Sequence, residues 1–142
     1  MTINSTDPAW IQWAHAHKGL REIPGARHEP RIQAWLAKLG AWWRDDETPW
    51  CGTFVAAAFD ACDVPVARNW FRARAWLDWG VPLAAPIPGA VVVFARDGGG
   101  HVGFAVGKDT AGRLLVLGGN QGNAVSIAAF DVARVIGYRW PA

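Results

Sequence analysis

Pro86-Ile87-Pro88-Gly89-Ala90-Val91-Val92-Val93-Phe94-Ala95 is the stretch on which the fold turns. Two prolines and a glycine stop any helix that reaches them. The apolar run that follows, Ala90 to Ala95, carries three valines and reads as a central strand buried on both faces. Upstream of this break apolar residues recur at helical spacing. Downstream they follow the period of strands.

Working upstream, the spacing predicts four helices. The first has Asp7 as N-cap and Pro8 as its first residue, with Trp10, Trp13, Ala14, His17 and Leu20 on one face. A loop over Arg21 to Glu29 holds Pro24 and Gly25. The second helix runs from Pro30 to Leu39, turns Ile32, Trp35, Leu36 and Leu39 inward, and is closed by Gly40. The third has Thr48 as N-cap and Pro49 at the first position, with Phe54, Val55, Ala58, Phe59 and Cys62 at helical spacing. The fourth covers Trp70 to Trp79 and ends at Gly80.

Working downstream, a turn over Asp97 to Gly100 leads into His101 to Gly107. His101, Gly103, Ala105 and Gly107 share one face of that strand, Val102, Phe104 and Val106 the other. The small residues are expected to face a helix. Arg113 to Leu117, Val125 to Ile127 and Val135 to Trp140 complete a sheet of about five strands. The expected class is α+β, one domain over 1–142, helical over about 7–80 and sheet over about 88–140.

Composition narrows the function classes. The 142 residues carry a net charge of only +2 with Lys and Arg scattered, which argues against nucleic acid. The longest uncharged run, Trp79 to Ala95, contains three prolines and does not suit a spanning helix. Met1 to Trp10 lacks the basic and apolar regions of a secretory leader, so the chain is expected to be made in the cytoplasm. There is no CxxC or HxxxH spacing, and no metal or cofactor is expected. The acidic run Asp45-Asp46-Glu47 reads as a solvated loop rather than a calcium site.

Of the two cysteines, Cys51 is the candidate nucleophile. As the third residue of a Pro-initiated helix it would sit among unpaired N–H groups that favour a thiolate. Cys62 lies roughly 16 Å along the same helix, too far for a disulfide, and is expected to be a buried small hydrophobe. A cysteine nucleophile needs a base. His15 and His17 fall in a helix, with one or both facing solvent, and His28 falls in a loop. His101 opens a strand and could meet Cys51 across the helix–sheet contact. Asn120, in the loop Gly118-Gly119-Asn120-Gln121-Gly122-Asn123, is the natural group to orient the imidazole.

Thr48-Pro49-Trp50-Cys51, Gly100-His101-Val102-Gly103 and Gly118 to Asn123, in that order, resemble the papain-like NlpC/P60 and CHAP superfamily. The likeness is to its small single-domain branch found in phage lysins and bacterial proteins. It extends from Arg21-Glu22-Ile23-Pro24-Gly25 to Gly137-Tyr138-Arg139-Trp140. It implies a cysteine-dependent amidohydrolase, an endopeptidase or a muramoyl-alanine amidase, acting on peptidoglycan in the periplasm or wall. It implies Cys51 as nucleophile, His101 as base then acid, and Asn120 as the group orienting His101. Trp50, Gly119, Gln121 and Asn123 are expected to line the substrate. Three features depart from the pattern: Trp50 stands where these enzymes often have Asp, no second His follows His101, and no upstream Gln matches the usual oxyanion donor.

Two other readings compete. Ten tryptophans fit a non-catalytic wall-binding module, with Trp43, Trp50 or Trp70 stacking on sugar. The same architecture would also serve a thiol acyltransferase. A phage lysin would leave through a holin pore, whereas an exported antibacterial enzyme would need a cognate inhibitor. A monomer is expected in either setting.

Overall fold

The computed structural model describes residues 6–24 and 27–142. Three α-helices come first: α1 (Ala9–Ala16), α2 (Pro30–Lys38) and α3 (Cys51–Ala61). Six strands follow: β1 (Val81–Leu83), β2 (Val91–Arg96), β3 (Gly99–Lys108), β4 (Leu114–Gly118), β5 (Ser126–Phe130) and β6 (Val135–Trp140). They form one antiparallel sheet in the order β1-β6-β2-β3-β4-β5. The α+β class, with helices packed on an antiparallel sheet, is as the sequence predicts. The sixth strand is the addition. β1 contains Pro82 and is tolerated because it lies at the sheet edge.

The helix boundaries need correcting. α1 starts at Ala9 with Pro8 in the capping position, one residue later than the spacing suggests. α2 has Glu29 as its cap, the carboxylate accepting the Arg31 N–H at 2.8 Å, and Gly40 follows it at φ +81°. The expected fourth helix shrinks to a 3₁₀ segment, Ala73–Asp78. Cys62 lies just past the end of α3 and is half-exposed rather than buried, and both cysteines are free thiols. Of the two histidines of the first helical segment, His15 is buried and His17 is half-buried.

Every residue of α3 from Cys51 to Phe59 is buried. Helices α1 and α2 cover its outer side and β3 its inner side. Such a helix is apolar all round. Ala56, Ala57 and Ala58 keep it thin enough to be enclosed. Gly52 is required at its start, because a Cβ there would lie 2.3 Å from the Trp70 carbonyl oxygen.

The faces of β3 are the reverse of the expectation. Val102, Phe104 and Val106 point into the helix-side core, where Phe104 meets Phe54 and Phe59 at ring separations of 6.4 and 5.5 Å. Ala105 points into a second cluster on the other face, with Val92, Phe94, Leu114 and Val116. The large side chains win the helix contact because they bury more apolar area there. The small ones serve the second face, where Gly103 leaves room for Val116.

Candidate active site

Cys51 is the first residue of α3, not the third. Trp50 caps the helix at φ −120°, ψ 20°, and its carbonyl accepts the Phe54 N–H at 3.0 Å. The chain turns earlier than a Pro-initiated helix would. Asp45 Oδ1 accepts the Thr48 N–H at 2.6 Å, and this side-chain turn outcompetes helical entry at Pro49. Cys51 therefore still lies in the first helical turn, but next to the cap.

The lead-in is clamped from below. Asp46 is fully buried. Its Oδ2 accepts the N–H groups of Ile23 and Glu29 at 2.7 and 2.9 Å, and its Oδ1 accepts Nδ1–H of His28 at 3.0 Å. Burial alone would push this carboxyl up, but those donors outweigh it and hold the group below its ordinary value. The acidic run is thus not a uniformly solvated loop. Asp46 has its lone pairs committed to N–H groups, and no cluster of metal-binding side chains occurs among the described residues.

On the sheet side, β4 leaves β3 just after the pair Phe104↔Leu117, turning at Gly118. Val102 lies beyond that end, and its N–H is directed at the sulfur of Cys51. The N–H groups of Cys51 and Gly52 also face the sulfur. Burial nevertheless dominates and raises the thiol above its ordinary value, with these donors and the charge of Arg96 opposing it. The helix start does not win against desolvation, contrary to the sequence expectation of a favoured thiolate.

His101 is the residue before Val102 and is buried. Its ring lies on the second face of the sheet, stacked on Phe130 at 5.3 Å and 18°. Nε2 is 2.9 Å from Gln121 Oε1. The Gln121 amide nitrogen donates to the carbonyls of Val116 and Ser126 at 3.1 and 2.8 Å. Flipping the amide would set its oxygen against two carbonyl oxygens, so its orientation is fixed. Oε1 can only accept, hence Nε2 of His101 carries the proton and Nδ1 is the free basic nitrogen. Burial lowers the imidazole below its ordinary value, the Gln121 bond opposes this, and Arg96 and Arg134 lower it further. Burial thus disfavours the charged form of both cysteine and histidine, and no hydrogen bond joins them among the described residues.

The site residues expected from sequence are only partly brought together. Cys51 and His101 are linked only through Val102, the neighbour of His101 in β3, whose N–H faces the Cys51 sulfur. Asn120 does not orient the ring; Gln121 does. Asn120 takes φ +58° and forms the corner that swings its neighbour inward. Gly118 makes this reach feasible, since a Cβ there would lie 2.4 Å from Gln121 Oε1. Gln121, expected to touch substrate, is buried and fully engaged. Trp50 is 1% exposed and donates Nε1–H to Glu22 at 3.2 Å, so it offers no surface for stacking. Gly119 is pressed onto Trp50 and Phe54. Asn123 is exposed at φ +59°.

The exposed aromatic surface lies elsewhere. Trp42, 89% exposed, and Trp43 line a cleft of about 470 Å³ with Trp70, Phe71, Thr48 and Pro49. The cleft runs up to the residues that lead into Cys51. Of the tryptophans proposed for sugar stacking, Trp43 and Trp70 both line this cleft and pack on each other, ring centroids 6.0 Å apart.

With this geometry in hand, the chain can be compared with known families. The family model of the CHAP domain fits residues 43–120, which takes in the lead-in, α3 and strands β1 to β4. No curated protein matches the chain.

Proposed function

The chain belongs to the CHAP domain family, which implies peptidoglycan hydrolase or amidase activity in general, and on that premise we propose that it cuts an amide bond of the wall peptide through a Cys51 thioester. The observation that carries this reading is the contact of His101 Nε2 with the side-chain carbonyl oxygen of Gln121, which assigns the proton to Nε2 and the basic role to Nδ1.

Nδ1 takes the thiol proton as sulfur attacks the amide carbon. The N–H groups near the sulfur, that of Cys51 first, lie where the negative oxygen of the tetrahedral adduct develops. The C–N bond breaks, and the proton on Nδ1 passes to the leaving amine. Water, losing a proton to the same nitrogen, then attacks the thioester and frees the thiol. Gln121 is a positioning residue, holding the ring through Nε2–H without adding charge. Because burial disfavours the charged form of each, activation belongs in this reading to the reaction rather than to a stored ion pair.

The finer setting is a phage endolysin or an exported antibacterial enzyme, acting in the periplasm or wall. No helix among the described residues is long and apolar enough to cross a membrane. A holin gene or an inhibitor gene beside the coding sequence would separate the two settings.

A second reading, a wall-binding module without turnover, is favoured by the open aromatic cleft around Trp42 and Trp43. One experiment divides them. Purified sacculi are incubated with wild type and with Cys51→Ala, and soluble products are weighed by mass spectrometry. Products from wild type alone, each heavier by one water than the segment cut out, support hydrolysis and name the bond. Products joined to an added amine instead would point to acyl transfer. Binding without any product, unchanged by iodoacetamide, would leave the binding module.

A further inference from the structure

At the end of the β2–β3 hairpin, next to His101, three arginines from three segments converge. Arg96 is the last residue of β2 and pairs with Gly99 across the hairpin. It shares a sheet face with Phe94, the cross-strand partner of His101. Arg134 ends the 3₁₀ segment Val132–Arg134 and bonds the Ala95 carbonyl at 3.4 Å. Arg74, from the 3₁₀ segment Ala73–Asp78, bonds the Gly99 carbonyl at 3.0 Å and lays its stem against Gly100. With Ala95 and Asp97 they line an open cavity of about 640 Å³.

None of the three guanidinium groups forms an ion pair with a carboxylate among the described residues. Asp97, the one acid lining the cavity, leaves it with a formal excess of positive charge. Like charges gathered without partners repel. Two of the three are nevertheless tied to the hairpin backbone at Ala95 and Gly99, so the gathering is held by the fold. A planar guanidinium accepts a carboxylate through two parallel bonds, and several around one cavity suit a single carboxylate.

We propose that this cavity is a specificity subsite that takes one free carboxylate of the wall stem peptide while the scissile amide lies at Cys51. The assignment rests on the activity proposed above and adds to it. Peptides with that carboxylate are preferred over the same peptides bearing an amide. The bound anion also offsets the positive field of Arg96 and Arg134 on His101, making the imidazole a better proton acceptor when substrate is present.

The test uses the Cys51→Ala chain and calorimetry. The probes are the tetrapeptide L-Ala-γ-D-Glu-L-Lys-D-Ala and two forms in which either the D-Glu α-carboxylate or the terminal carboxylate is an amide. One amidated form is expected to bind roughly ten- to a hundredfold more weakly, as for loss of a charge-assisted contact. Adding Arg96→Gln or Arg134→Gln should bring the free acid down to that amide. Arg113→Gln, a surface arginine paired with Asp109 elsewhere, should leave the ratio unchanged. Equal affinity for all three peptides, no binding of any, or an equal drop for acid and amide in the arginine variants overturns the assignment. If wild type digests sacculi but the peptides do not discriminate, this inference fails alone. If the peptides discriminate but wild type releases nothing, the proposed activity fails alone.

Discussion

Two buried polar networks flank the start of α3, and each holds a histidine. Below it, His28 meets Asp46, a carboxylate that also takes two backbone N–H groups. Beyond it, His101 meets Gln121, a neutral amide whose nitrogen is spent on two carbonyls. The first network carries charge and commits its lone pairs. The second carries none and leaves one ring nitrogen over. A carboxylate holds a loop firmly, but it would also stabilise an imidazolium. An amide orients a ring while letting it stay a base. The difference separates a histidine that ties the chain from one able to move a proton.

The largest effects should fall on opposite quantities. His101→Gln, which keeps a polar side chain beside Gln121, should lower kcat/KM on wall peptide by about a thousandfold or more, as for loss of a general base that also serves as acid, with a smaller loss of melting temperature than Asp46→Ala shows. Asp46→Ala should do the reverse. It strands the Ile23 and Glu29 N–H groups and should cost about 3 kcal/mol of stability, read as a lower urea midpoint. The pH dependence has a defined sign. The Asp46 carboxyl is held below its ordinary value of 3.8 in the fold. Its stabilisation is therefore full above that value and is lost as pH falls through the lower folded one. Wild type should show this acid loss of stability and Asp46→Ala should not. If both variants lose stability equally and activity equally, the contrast between the networks is void.

Much of this was legible in the sequence, and the gaps have physical causes. Pro88 and Gly89 mark where helices end, and the order of the Cys51, His101 and Asn120 motifs marks the family. The start of α3 departs from the sequence expectation because Asp45 turns the chain through a side-chain bond that competes with the Pro49 signal. The orientation of β3 is not legible because alternation shows that two faces differ, not which one meets the helix. The exchange of Asn120 for Gln121 has the same reason at a smaller scale. A left-handed corner shifts the inward position by one residue, and spacing carries no trace of it. The arginine cavity was hidden because its members lie far apart in sequence and meet only through the β2–β3 hairpin.

The charge contrast also predicts pH behaviour. Burial places His101 below the ordinary imidazole value of 6.5 and Cys51 above the ordinary thiol value of 9.0. The acid limb of kcat/KM should accordingly lie below 6.5. Alkylation of Cys51 by iodoacetamide should keep rising through the alkaline range instead of levelling at neutral pH, as a preformed ion pair would. Gln121→Glu imports the chemistry of the Asp46 network. Its carboxylate should favour imidazolium and move the acid limb upward. An unmoved limb would mean that Nε2 does not sense residue 121.

The smallest effect should come from the residue that motif order nominated. Gln121→Ala removes the acceptor for Nε2–H and frees the ring to turn, so kcat should fall by about a hundredfold. Asn120→Ala removes a side chain from a corner and leaves the Gln121 bond in place. Its expense is conformational, since Asn tolerates a φ of +58° better than Ala. That strain should appear as about 1 kcal/mol of lost stability, with kcat within about threefold of wild type. Asn120→Gly relieves the strain and should restore the melting temperature. Because Gly has no side chain to reach His101, retained activity in that variant would leave Gln121 as the sole orienting group. A hundredfold loss there, with the fold intact, would return the role to Asn120.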